Sequence, residues 1–112
     1  MATSFNPPGL WQPFGAFSMM QVQDGGKVVH LKGQVSLDRD GQVVGANDMR
    51  VQLQTKLGNI RTALASVGGT MADIVSLTQH TTDMDQFMAA GDIRQAFFSA
   101  PFPVTTTVQV VR

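Results

Sequence analysis

Residues 47–69, NDMRVQLQTKLGNIRTALASVGG, decide the fold class of this chain. From Leu53, apolar residues recur at Leu57, Ile60, Leu64 and Val67, in steps of four, three, four and three. That spacing lays one apolar stripe along an α-helix. Asn47 or Asp48 supplies the capping oxygen for its first free amides. Gly68-Gly69 ends it by accepting the left-handed conformation. Gly58 sits mid-helix at a cost of ~1 kcal/mol relative to alanine, so it either permits a close approach or is merely tolerated.

C-terminal to the helix, residues 73–82 (DIVSLTQHTT) are short and rich in β-formers, which predicts a strand. Asp83 can then cap a second helix by accepting from the amide three residues on. That helix should bury Phe87, Ala90, Ile93 and Phe97, and Pro101 and Pro103 stop it. The terminal stretch 103–112, PVTTTVQVVR, reads as a last strand. Alternation places Thr105 and Thr107 on one face and Thr106 on the other.

On the N-terminal side, residues 16–23 and 27–37 read as two strands around Asp24-Gly25-Gly26, a hairpin signal because glycine accepts positive φ. Gly33 marks a bulge or the close approach of a backbone or ligand. Pro7, Pro8, Pro13, Gly9 and Gly15 predict an irregular arm over about 1–15, with Trp11, Phe14 and Phe17 to bury. The order ββ-α-β-α-β predicts a single α+β domain over 1–112, its sheet carrying both helices on one face. The opposite face keeps Val, Leu, Thr and Met residues that need a cover, and copies of the same chain are the simplest one.

Composition agrees with that picture. The 112 residues suit one domain. Only 14% are charged, below the ~25% of typical soluble domains, which again suggests a covered surface. Eight basic residues balance eight acidic ones without clustering, so no nucleic-acid footprint is present. Cysteine is absent, which excludes disulfides and thiolate zinc sites. His30 and His80 lack companion ligands at metal spacing, so no metal is expected. No phosphate loop, dinucleotide or nucleophile-elbow motif occurs, and no cofactor is expected. The N-terminus has no signal-peptide pattern and no apolar stretch approaches a membrane span, so a cytoplasmic protein without membrane or nucleic-acid partners is the expectation.

Four stretches taken together resemble the Rid family of imine deaminases (also YjgF-like, or endoribonuclease L-PSP): GQVSLDRDGQVV (33–44), LGNIRTALASVGGTMADIV (57–75), TTDMDQF (81–87) and PVTTTVQVVR (103–112). The resemblance implies a chorismate-mutase-like α+β domain assembled as a homotrimer, with ligand clefts between neighbouring subunits. It implies hydrolysis of imines or enamines such as 2-aminoacrylate, releasing a 2-keto acid and ammonia. It also implies pocket positions, at which this chain carries Phe17, Lys32, Gly33, Gly91, Thr105 and Thr107. At residue 105 the family has an arginine whose planar fork holds the substrate carboxylate; a threonine hydroxyl brings one donor and no charge. Phe17 stands for a tyrosine, Lys32 for a serine and Gly91 for an asparagine, while Gly33 and Thr107 agree in kind.

The family's further strand, with a glutamate that positions the attacking water, would follow Arg112. The resemblance thus leads to a trimeric protein that binds a small organic ligand, a carboxylic acid among the candidates, in a degenerate deaminase pocket. Its alternative is an imine deaminase in which Lys32 replaces the arginine. An endoribonuclease or translation-inhibitor role is disfavoured by the neutral charge balance.

Overall fold

The computed structural model describes residues 2–112. Its elements are strand β1 (Ala2–Phe5), strand β2 (Met20–Gln23), helix α1 (Met49–Ala65), a 3₁₀ turn (Met71–Asp73), strand β3 (Ser76–Thr81), helices α2 (Met84–Ala89) and α3 (Gly91–Phe97), and strand β4 (Val104–Gln109). The α+β class follows from this alternation.

Helix α1 carries the core. Asp48 is its N-cap, accepting from the Val51 amide, and Leu53, Leu57, Ile60 and Leu64 are buried. Val67 lies past the end of the helix and is exposed, so the apolar stripe is one residue shorter than its spacing suggested. The chain reverses through Gly68, at φ +79°, with the Gly69 amide donating to Leu64 O at 2.8 Å. A Cβ on Gly58 would meet nothing within 4 Å, so no close packing explains that glycine. Against the α1 stripe pack Met71, Phe87, Ala90, Ile93 and Phe98.

The segment read as one second helix is two. Asp83 caps α2 by accepting from the Gln86 amide at 3.0 Å. Ala90, at φ −98° and ψ 20°, then leaves helical geometry before α3 begins at Gly91. Its buried residues are Phe87, Ala90 and Ile93, while Phe97 is half-buried and its neighbour Phe98 takes the core place.

The sheet also departs from expectation. Instead of one sheet there are, among the described residues, two two-stranded ones, β1 with β2 and β3 with β4. The arm predicted irregular begins with β1, which pairs antiparallel to β2 from Ala2↔Gln23 to Phe5↔Met20. Gly25 and Gly26 do take positive φ, +79° and +91°, yet no hairpin forms there. Strand β2 finds its partner upstream, and residues 27–35 run on without regular structure. Val28, Val29, Leu31 and Val35 in that segment are exposed. Strands β3 and β4 pair in parallel, Leu77 opposite Thr105 and Gln79 opposite Thr107. No helix is long and apolar enough to cross a membrane, among the described residues.

Candidate functional site

Parallel pairing places the side chains of opposed residues on one face. Along β3, Gln79 and Thr81 are buried and Leu77 half-buried, while Ser76, Thr78 and His80 are exposed. Thr105 and Thr107, opposite Leu77 and Gln79, are half-buried, and Thr106 is exposed. The two threonines therefore share the inward face, as their spacing predicted. The Gln79 amide nitrogen donates to Thr107 Oγ1 at 3.2 Å, and Gln79 Oε1 is buried without a partner.

The entrance to β4 is tied to the N-terminal region. The Ser18 amide donates to Pro103 O at 2.8 Å. Phe102 O collects the hydroxyls of Ser4 and Ser18 and, at 3.0 Å, the Gln21 amide. Ser18 is 5% exposed, and these hydrogen bonds fix the strand's start. Phe17 is thereby held beside the residues that lead into Thr105. Its ring stands edge-on to Phe14 at 5.3 Å, and Trp11 stacks on Phe14 at 5.8 Å. Trp11 and Phe14 are nonetheless largely exposed, so the arm presents an aromatic cluster to its surroundings.

The other expected positions lie elsewhere in the chain. Lys32 is exposed, its Nζ 3.5 Å from the carbonyl of Gly33, at the outer limit of a hydrogen bond. Gly33 is exposed, and a Cβ there would meet nothing within 4 Å. Gly91 opens α3 beside Asp92, whose carboxylate takes a fork from Arg50 of α1 at 2.7 and 3.0 Å. The Arg50 hydrogen bonds are the first cause of an Asp92 carboxyl below the usual range. Phe17 thus lies next in sequence to Ser18, which is hydrogen-bonded to Pro103 two residues before Thr105, whereas Gly91 belongs to the helical layer.

A hollow away from β4 was not legible beforehand. Residues 34–36, α1 and the end of β3 enclose a cleft of about 210 Å³ whose wall includes Ser36, Gln52, Lys56, His80, Thr82 and Phe87. Lys56 lies in the α1 stretch QTKLGN, one residue before Leu57, and nothing in that spacing marks it as inward-leaning. Gln79 was missed too, although its alternation with Leu77 and Thr81 could have shown it facing inward.

The chain matches known proteins over nearly its whole length. Residues 11–112 match the family model described as Endoribonuclease L-PSP. A 2-iminobutanoate/2-iminopropanoate deaminase of Dermatophagoides farinae is 28% identical over 99 residues, spanning 88% of this chain and 76% of that protein. The crystal structure of YyfB from Yersinia pestis, a Rid-family protein of unknown function, superposes with a TM-score of 0.88 at 26% identity, over 99% of this chain and 86% of that one. RidA of an Antarctic Psychrobacter shares the fold, with a TM-score of 0.70 at 24% identity over 88% of this chain and 78% of that one. The chain belongs to the endoribonuclease L-PSP family, also known as YjgF or Rid.

Proposed function

We propose that this chain is a Rid-family protein that binds a small organic molecule in a pocket built on Thr105, Thr107 and Phe17, and that it does not hydrolyse imines there. The observation that carries this reading is the inward, half-buried Thr105, which offers a hydroxyl and no charge. A carboxylate beside it would exchange water for one neutral donor. Charge-assisted, bidentate pairing from an arginine is roughly twice as strong per bond and also fixes orientation. Imine hydrolysis needs that fixed orientation, because effective catalysis depends on holding the reacting carbon where water attacks. Exposed Val28, Val29, Leu31 and Val35 support a homotrimer in which other copies cover them and complete the pocket.

The D. farinae relative's name favours a second reading: imine hydrolysis in this chain as well, with Lys32 of the same or a neighbouring copy supplying the positive charge. Freshly generated 2-iminobutanoate separates the two. On the first reading, ammonia release with the chain present stays at the uncatalysed rate. Accelerated release that Lys32→Ala abolishes would overturn it and establish the second.

A further inference from the structure

The cleft beside Lys56 has a chemistry of its own. Its lining includes no aspartate or glutamate. Lys56 Nζ lies 5.8 Å from the centroid of the Phe87 ring, and the Arg94 guanidinium of α3 approaches the same ring at 5.1 Å. Two cations thus share one aromatic side chain, and among the described residues no carboxylate offsets either. Burial first, and Arg94 second, hold the Lys56 ammonium below the ordinary lysine range. Arg94 Nε is buried without a hydrogen-bond partner. Half-buried cations of this kind cost free energy until an anion pairs with them.

The rest of the wall limits which anion. His80 and Thr82 stand at the end of β3, and neither side chain is engaged in a hydrogen bond among the described residues. Val35, Met49, Leu53 and Phe87 make the other side apolar. A volume of about 210 Å³ lies below the ~300–1,000 Å³ of sites for drug-sized ligands. One ammonium, one imidazole and a short greasy wall suit a single charge on a short aliphatic tail better than a compact dianion.

We propose that this cleft binds a small monocarboxylate, its carboxylate on Lys56 between His80 and Thr82 and its tail against Met49, Leu53 and Phe87. None of these residues belongs to the Thr105 pocket, so the proposal stands or falls apart from the function proposed above.

Calorimetric titration of the unaltered chain with butanoate, with butanamide of the same shape, and with inorganic phosphate tests it. Butanoate should bind about tenfold or more tightly than butanamide, and Lys56→Met should lose that preference. Equal affinity for the amide, or a preference that survives Lys56→Met, would overturn the site. Phosphate binding more tightly than butanoate would overturn the ligand class. Should Lys56→Met not fold, the unaltered chain still decides. Saturating butanoate should raise the Lys56 apparent pKa, read from its ¹³Cε shift, and an unmoved value would overturn the proposal.

Discussion

Gln79 and Thr107 meet because parallel pairing sets them opposite each other, and their hydrogen bond ties the two strands on the inward face. The shared face of Thr105 and Thr107 was legible from alternation alone, since a strand has a period of two. The junction at Phe102 O was not, because Ser4, Ser18 and Gln21 reach it across more than 80 residues of sequence. Lys56 was equally hidden, its surroundings arising from the meeting of α1, β3 and α2 rather than from its neighbours in sequence. Its depressed pKa carries a sign that can be checked. Between the folded value and the ordinary 10.5, the unfolded chain holds more protons than the folded one. Stability from this group therefore rises with pH through that window, and the full cost of burying the ammonium is present below it. In urea titrations without added carboxylate, Lys56→Met should be the more stable chain at neutral pH, and its advantage should shrink as pH approaches 10.5. An advantage that grows with pH would contradict the assignment.

At the scale of elements, α1 was the most legible part of the chain. A seventeen-residue helix with four buried positions at helical spacing leaves its period in the sequence. Because a Cβ at Gly58 meets nothing within 4 Å, Gly58→Ala should stabilise the chain by about 0.5–1 kcal/mol in chemical denaturation. A loss of stability would mean that something packs on that surface. The strands were harder to place. Asp24-Gly25-Gly26 does turn the chain, with both glycines at positive φ. Turn chemistry fixes where a chain reverses, but pairing depends on which partner reaches the strand, and β1 takes the edge of β2. Residues 2–5 looked irregular because the prolines and glycines of the arm follow them closely. The break at Ala90 was invisible for another reason: alanine is a strong helix former, and only the backbone angles of the folded chain show the kink.

On the scale of the whole molecule, two short sheets and a helical layer leave exposed valines and leucines that a second copy can cover. If the chain assembles as proposed, light scattering should give three times the 12.0 kDa chain mass, and a stable monomer would contradict that assembly. Family membership gives the fold, whereas position 105 carries the functional claim. That claim is tested most directly by the rate of 2-oxobutanoate formation from 2-iminobutanoate, measured side by side for the unaltered chain and for Thr105→Arg. The unaltered chain should leave the reaction at its uncatalysed rate and the arginine variant should accelerate it. Equal rates in the two chains, whether both fast or both uncatalysed, would contradict residue 105 as the deciding position.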